Sequence, residues 1–145
     1  MLDNFRYQYP IKVRFADLDV LGHLNNATYL TYIESARIQY LEDVCGRRSG
    51  GWNTLGMILA RTEIDYRLPI AYEDTVVVYV RVARLGGKSF DMLYAITKQG
   101  DTDDAPVIAA EAKTVMVSYD YRNDTSQAVP ADWRTKMTAY EPALA

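Results

Sequence analysis

A single long helical pattern dominates the first third of the chain. From Ala27 onward, apolar residues recur at spacings of three and four, and neighbouring apolar residues widen the stripe to most of the circumference. The stripe comprises Tyr29, Ile33, Ala36, Tyr40 and Val44, with Leu30, Ile38 and Leu41 beside it. Asn25 or Asn26 is suited to cap the start of this helix, and Gly46 to end it. Because such a helix must be covered on most sides, we expect the rest of the chain to wrap around it.

Five strand patterns account for most of the remaining sequence, and no helical pattern separates the last four. They are Tyr7–Phe15, Met57–Tyr66, Thr75–Leu85, Lys88–Gln99 and Val107–Tyr119. Gly86-Gly87 is a two-residue linker typical of a tight hairpin with positive φ angles, so its flanking strands should pair antiparallel. The lack of alternating strands and helices excludes a βαβ layout. We therefore predict an α+β fold, in which an antiparallel five-stranded sheet wraps one long central helix.

Polar residues of several chemical kinds lie just before the helix. The segment from 17 to 26 holds Asp17, Asp19, the single histidine His23, and the pair Asn25 and Asn26. A helix N-terminus presents unpaired N–H groups and about half a positive charge, which favours a bound oxyanion. A carboxylate beside it can attack a carbonyl carbon or activate water. The segment is a candidate site for acyl transfer or hydrolysis, although turn and cap chemistry accounts for the same residue types.

The order of these residues resembles that of a known family. The pattern Asp17-x-Asp19-x-x-Gly22-His23-x-Asn25-Asn26-x-x-Tyr29, with Glu34-x-Ala36-Arg37 further along, resembles the hotdog-fold thioesterases, particularly the 4-hydroxybenzoyl-CoA thioesterase group. The resemblance implies a hotdog fold and active sites formed between the subunits of a dimer, with tetramers common. It places the catalytic acid at Asp19 and the oxyanion-binding N–H at Asn26. It also matches His23 to the histidine of the His-x-Asn-Asn form found in long-chain acyl-CoA thioesterases.

The resulting functional prediction is hydrolysis of an acyl-CoA thioester to a free acid and coenzyme A, with an acyl-carrier protein as an alternative carrier. Asp19 would act as nucleophile or general base, the Asn26 N–H would stabilise the oxyanion, and His23 would order the acid or the water. Two alternatives stay open: a hotdog hydratase or dehydratase acting on an enoyl thioester, and a non-catalytic acyl-CoA-binding module. Since the helix fills the sheet's concave face, one chain has little room for an acyl pocket, and at least a homodimer is expected.

Substrate-binding residues are predicted from position alone. Asn25 adjoins the helix start, and Tyr29 and Thr62 are candidates to line an acyl pocket, although Tyr29 also belongs to the core stripe. Lys88 and Ser89 follow the glycine turn, where they could meet the phosphates of coenzyme A or be ordinary surface residues. Further along the helix, Glu34 and Arg37 are three residues apart and are expected to pair with each other.

Composition narrows the remaining choices. The 145 residues, with 49% apolar and 24% charged, should form one domain whose polar tail, 122–145, holds a short helix opened by Pro130 and carrying Trp133 and Met137. The net charge of −3 disfavours a nucleic-acid partner. With Cys45 and His23 each single, we expect no disulfide, no zinc site and no cofactor. No apolar run approaches about 18 residues, so a soluble, cytoplasmic protein without a membrane partner is expected.

Overall fold

The computed structural model describes residues 2–46, 56–99 and 105–144. The elements in chain order are β1 (Tyr7–Ile11), α1 (Asn26–Cys45), β2 (Gly56–Tyr66), β3 (Thr75–Leu85), β4 (Ser89–Gln99), β5 (Val107–Asp120), β6 (Thr125–Ser126) and α2 (Ala131–Tyr140), with 3-10 turns at Phe15–Asp17 and Pro142–Leu144. The strands pair antiparallel in the order β1-β3-β4-β5-β2, and β6 adds to β5. Strands β1 and β2 therefore form the two edges.

Helix α1 lies against one face of this sheet. Its 20 residues span about 30 Å, enough to cross the whole sheet. Alternate residues of β3 are fully buried: Val76, Val78, Val80 and Val82. They join Ile33, Ala36 and Tyr40 of the helix in one apolar core. The broad apolar stripe of the sequence is thus explained by cover from the sheet, and the predicted fold class is confirmed.

The sheet has six strands where five were predicted. After β5 the chain turns through Asp124, whose φ of 54° lies in the left-handed region, and Thr125 and Ser126 return to pair with Asp120 and Tyr119. A strand of two residues is too short to leave a hydrophobic period in the sequence. The extra strand pairs with the last two residues of β5 and leaves the architecture of the sheet unchanged.

Two local expectations were wrong. Strand β1 ends at Ile11 instead of Phe15, because the Asp17 side chain accepts the Arg14 backbone N–H (3.0 Å) and draws the chain into a 3-10 turn.

The hairpin between β3 and β4 forms, but neither of its two glycines has a positive φ. The Gly86 N–H donates to the Ser89 carbonyl oxygen (2.8 Å), so the two central residues of the turn are Gly87 and Lys88, one position later than predicted.

The C-terminal region follows the sequence prediction. Helix α2 begins directly after Pro130 and buries Trp133 and Met137. Its Lys136 ammonium donates to the Cys45 carbonyl oxygen (3.3 Å), which places a cation at the negative end of α1. Gly46 ends α1 with a φ of 73°. Among the described residues, no helix combines the length and apolar character needed to cross a membrane.

Candidate active site

The first acid of the motif, Asp17, is a buried anchor. It accepts hydrogen bonds from the Arg14 guanidinium (3.0 Å) and from the Tyr32 hydroxyl (2.7 Å), which belongs to α1. Burial acts to raise the pKa of Asp17, but the hydrogen bonds from Arg14 and Tyr32 outweigh it and hold the pKa below its usual value. Asp17 therefore fixes the loop to the helix and is not free to react.

The loop between Asp17 and α1 is a tight hairpin-like turn. The Asp19 N–H donates to the His23 carbonyl oxygen (2.8 Å), and the Gly22 N–H donates to the Asp19 carbonyl oxygen (3.1 Å). Gly22 has a φ of 81°, a backbone conformation that glycine adopts without strain. Leu24 is buried, and its N–H donates to the Ile70 carbonyl oxygen (2.8 Å), so the loop is held to the segment that connects β2 and β3.

The second acid, Asp19, is exposed on this loop. Its Oδ1 atom accepts the Leu21 N–H (2.9 Å) and, more weakly, the His23 N–H (3.4 Å). Across the described residues, no hydrogen bond to its Oδ2 atom is formed. One carboxylate oxygen thus orients the side chain while the other faces solvent, an arrangement that suits a nucleophile or a general base.

The start of α1 leaves one backbone donor open. Asn25 is the N-cap, and its side-chain oxygen accepts the Ala27 N–H (2.9 Å), while its carbonyl oxygen accepts the Thr28 N–H (2.9 Å). Within residues 2–46, 56–99 and 105–144, no acceptor lies on the Asn26 N–H. The cap therefore uses the donors that follow Asn26 and spares the position where an oxyanion was predicted to bind.

Two tyrosines secure this end of the helix from the sheet side. The Tyr66 hydroxyl, at the end of β2, donates to the Asn26 carbonyl oxygen (3.0 Å). Tyr29 is buried and packs edge-to-face against Tyr66, with ring centroids 5.0 Å apart. Tyr29 therefore lies in the core, as expected, and supports the candidate site through its contact with the Tyr66 ring.

The predicted substrate-binding residues fall into separate places. Thr62 lies on β2 beside α1, where it lines a cavity of about 160 Å³ with Leu30. Lys88 and Ser89 lie at the far end of β3 from the motif loop, which contacts Ala71 just before β3 begins. Eleven strand residues separate the two ends by roughly 35 Å. One protomer therefore does not bring Lys88 and Ser89 to Asp19.

Apolar side chains are exposed around the motif loop. Val20 is fully exposed, and Leu21 and Phe15 are 77% and 75% exposed. Phe15 stacks on Tyr72 with their rings nearly parallel and 4.2 Å apart. A group of large, exposed apolar side chains around one loop is typical of a surface that another molecule covers.

No metal-binding cluster accompanies these residues. Across the described ranges, no group of three or more His, Cys, Asp and Glu side chains is placed to hold an ion. Asp19 and His23 are the ionisable side chains of the motif that face solvent. The chemistry that they support is attack on, or activation of water toward, a carbonyl carbon.

Three residues that position the site were not predicted from the sequence. Tyr32 and Arg14 hold Asp17, and Tyr66 holds Asn26. Tyr66 lies 40 positions from its partner along the chain, so no spacing rule links them. The alternating pattern of β2 predicted a tyrosine at the end of a strand, but it did not predict the contact of that tyrosine with Asn26.

Comparison with known proteins places the chain in a family. A sequence profile of the thioesterase-like superfamily matches residues 13–138. The long-chain acyl-CoA thioesterase FadM of Escherichia coli (strain K12) is 28% identical over 130 residues, which cover 90% of this chain and 96% of FadM.

Solved structures agree with the sequence match. A thioesterase from Thermus thermophilus, solved in complex with coenzyme A and Zn, is 33% identical, covers 97% of each chain and superimposes with a TM-score of 0.82. A 4-hydroxybenzoyl CoA thioesterase mutant in complex with 4-hydroxybenzoyl CoA has a TM-score of 0.80 over 90% of this chain and 97% of its own, and at 16% identity this likeness concerns the fold alone. The motif, the hotdog sheet and these matches agree, and the chain belongs to the thioesterase-like superfamily.

Proposed function

We propose that this protein hydrolyses acyl-CoA thioesters at the loop that opens α1. The observation that carries the proposal is the pairing of an exposed carboxylate, Asp19, with an open backbone donor, the Asn26 N–H, at the two ends of one short loop. The relatives named as an acyl-CoA thioesterase and as a thioesterase bound to coenzyme A support the same substrate class.

The oxyanion is the charge that the helix start must stabilise. When the thioester carbonyl carbon is attacked, its oxygen becomes negative, and the Asn26 N–H donates to it in the field of the helix dipole. Removing one such donor typically costs about 3 kcal/mol of barrier. Because this donor is a backbone group, its position depends on the cap at Asn25 and on the Tyr66 hydrogen bond.

Asp19 supplies the attacking group in one of two ways. It removes a proton from water, which adds to the carbonyl carbon, or its carboxylate adds directly and the resulting anhydride is then hydrolysed. In both cases the carbon–sulfur bond breaks, the sulfur leaves as the thiolate of coenzyme A and takes up a proton, and a free acid forms. His23 lies across the loop from Asp19 and orders the acid or the water.

Strand β2 supports the proposal that the site is completed in a homodimer. It is an edge strand of 11 residues with neighbour β5 on one side, and most of its side chains are exposed. The other edge, β1, has five residues and includes Pro10, which blunts pairing. A long edge without such protection favours pairing with a second copy.

Two-fold pairing through β2 would also bring distant residues together. The Tyr66 end of β2 lies at the motif, and the Gly56 end lies opposite Tyr119, near the turn that holds Lys88 and Ser89. In an antiparallel pair of β2 strands, the Tyr66 end of one meets the Gly56 end of the other. Lys88 and Ser89 of one protomer would then approach the Asp19 site of its partner, where they bind the phosphates of coenzyme A.

The decisive experiment is release of free thiol from a panel of acyl-CoAs of different chain length, run beside crotonyl-CoA. Thiol release from saturated substrates, abolished in Asp19→Asn, is the expected result. An absorbance change with crotonyl-CoA and no free thiol would instead indicate a hydratase. Ligand-induced stabilisation with no turnover of any panel member would indicate a binding module.

A single turnover in oxygen-labelled water tests whether the Asp19 carboxylate attacks the thioester. Label recovered in the Asp19 carboxylate would show that the side chain attacked and that water cleaved the anhydride. Label found only in the released acid would show that water attacked the acyl carbon, either of the thioester with Asp19 as the base or of the anhydride.

A further inference from the structure

A groove runs between helix α1 and strands β2 and β5. It consists of two adjoining cavities of about 290 and 160 Å³, which share Glu34, Arg37 and Leu59 as lining residues. The smaller cavity is also lined by Leu30, which lies one turn beyond Asn26 on the helix. The groove therefore begins beside the proposed oxyanion donor and follows α1 toward its C-terminal end.

The walls of this groove suit an alkyl chain. Its charged residues, Glu34 and Arg37, lie 3.8 Å apart, and Arg37 also forms a hydrogen bond with the Tyr94 hydroxyl, so both charges have partners within the protein. The apolar lining residues come from α1, β2 and β5. They are Leu30, Ile38, Leu41, Met57, Leu59 and Met116. A hydrocarbon chain that displaces water from such walls gains binding free energy through the hydrophobic effect.

Tyr121 lies at the far end of the groove. It follows β5, in the turn before β6, and lines the larger cavity together with Leu41 and Met57, the lining residues of α1 and β2 that are farthest from Asn26. The Tyr121 hydroxyl donates to the Met57 carbonyl oxygen (3.3 Å). Its ring contacts the Tyr119 ring, with the centroids 5.2 Å apart. These contacts hold the Tyr121 ring between the helix and the strand.

Gly56 gives the Tyr121 ring room to lie against the strand. A Cβ atom at position 56 would lie 2.6 Å from two carbons of that ring, well inside the van der Waals contact distance. Because glycine has no Cβ, the ring packs directly on the main chain at the first residue of β2. A chain that entered the groove at Asn26 would meet this ring as an end wall.

The length of the groove sets a limit on the acyl chain. Fifteen helical residues from Asn26 to Leu41 rise about 22 Å, and side chains lean up to one turn back toward the helix start, which leaves roughly 17 to 22 Å. The terminal methyl group needs a contact distance of about 4 Å from the ring. An extended chain advances roughly 3.5 Å for three bonds, so roughly 13 to 17 carbons fit between the two ends.

We infer that this groove binds the acyl chain of the substrate and that Tyr121 sets the longest chain accepted, at roughly 13 to 17 carbons. This inference rests on the proposed thioester hydrolysis and names its substrate class, an unbranched alkyl thioester of limited length. The groove borders the β2 edge, where Leu30 and Leu59 are 42% and 45% exposed. The second copy in the proposed dimer would cover the bound chain on that side.

The test measures kcat/KM for saturated acyl-CoAs from decanoyl to docosanoyl, each below its micelle concentration. The wild-type value should be at least about 10-fold higher for hexadecanoyl-CoA than for eicosanoyl-CoA, because a closed pocket rejects surplus methylenes. Tyr121→Ala removes a ring about 3.5 Å thick, equal to roughly three carbons of chain, and should abolish this difference. Tyr121→Phe keeps the ring and should keep the wild-type profile.

A substitution inside the groove should shift the profile in the opposite direction. Ile38 lines the larger cavity three residues before Leu41, so Ile38→Phe should shorten the groove and make tetradecanoyl-CoA a better substrate than hexadecanoyl-CoA. Tyr79→Ala changes a tyrosine on the other face of the sheet, since its neighbours Val78 and Val80 are the residues buried in the core. That variant should leave the order of the substrates unchanged.

A wild-type length profile in folded Tyr121→Ala would overturn the inference. A loss of equal size at every chain length would also overturn it, because Tyr121 would then act on the coenzyme A part of the substrate. Failure to hydrolyse any thioester counts against the proposed function, and the free fatty acids then test the groove by itself. Hexadecanoic acid should raise the wild-type melting temperature more than eicosanoic acid does, and Tyr121→Ala should lose this difference; equal shifts in the wild type would exclude the length limit.

Discussion

The Tyr66 hydroxyl donates a 3.0 Å hydrogen bond to the carbonyl oxygen of Asn26, and this bond joins the end of edge strand β2 to the first residue of α1. The Tyr66 ring also packs on Tyr29 one turn further along the helix. The peptide unit that carries the proposed oxyanion donor is therefore positioned from two sides, by its own cap at Asn25 and by the sheet.

Tyr66→Phe keeps the ring contact and removes only the hydroxyl. Loss of the hydrogen bond should lower the free energy of unfolding by about 1 kcal/mol and lower kcat several-fold, because the helix start becomes less well fixed. Chemical denaturation and thiol-release kinetics measure the two effects. Tyr119→Phe removes a hydroxyl bonded to Asp124 at the other end of β2 and β5, so it should cost stability without lowering kcat.

Asp19→Asn tests the assignment of the catalytic acid. The asparagine side-chain oxygen can still accept the Leu21 N–H, so the loop and the melting temperature should be unchanged. Loss of the base or nucleophile should reduce kcat by at least about 100-fold. Asp132→Asn, an equivalent change on exposed α2, should have no effect on kcat. Wild-type turnover in Asp19→Asn would exclude this residue as the catalytic acid.

Mixing two inactive variants tests the shared site. If Lys88 of one protomer serves Asp19 of its partner, a heterodimer of Asp19→Asn and Lys88→Glu contains one fully wild-type pair. Random exchange should then restore about a quarter of the wild-type sites. Activity regained on mixing, together with a dimer mass in solution, is the expected result. A monomeric protein, or no recovery after verified exchange, would contradict the composite site.

The architecture was predictable because long, regular elements leave periodic patterns. The apolar stripe of α1 and the alternation of β3 each run over many residues, and both match the structure. The two-residue β6 leaves no period in the sequence, and the turn between β3 and β4 is centred on Gly87 and Lys88, one position later than the glycine pair predicts. Short features of this kind are decided by hydrogen bonds that a pattern does not encode.

Sequence reasoning predicted only those residues of the candidate site that are close together along the chain. Asp19, His23 and Asn26 lie on one short loop and its helix, so their proximity follows from the order of the chain. The spacing of the two acids in the sequence does not distinguish their roles. Asp17 differs from Asp19 because it accepts a hydrogen bond from Tyr32, which lies 15 positions away along the chain. Arg37 was expected to pair with Glu34, and only the structure shows how loose that pair is.

Asp17→Asn tests the anchor through pH. The Asp17 pKa is lower in the folded chain than its unfolded value of about 3.9, so its stabilising effect is full above that pH and is lost as the pH falls through the folded pKa. The melting temperature of Asp17→Asn should lie below that of the wild type at neutral pH, and the gap should close in acid. A gap independent of pH would show that the charge of Asp17 does not contribute.

Glu141→Gln should produce the opposite pH dependence. Glu141 is buried, and burial raises its pKa although the Tyr40 hydroxyl (2.7 Å), the Val82 N–H (3.2 Å) and the positive charges of Arg81 and Arg6 favour the charged form. A folded pKa above the unfolded value of about 4.3 means that the carboxylate costs stability as the pH rises through and above that value.

Glutamine at position 141 keeps an acceptor oxygen for both hydrogen bonds and carries no charge. Glu141→Gln should therefore melt at the same temperature as the wild type near pH 4 and at a higher temperature at pH 7 to 8. Thermal unfolding across this range measures the difference, and Glu73→Gln, at an exposed position before β3, controls for the loss of a negative charge. A variant less stable than the wild type at pH 8 would show that the buried carboxylate stabilises the fold through its contact with Tyr40.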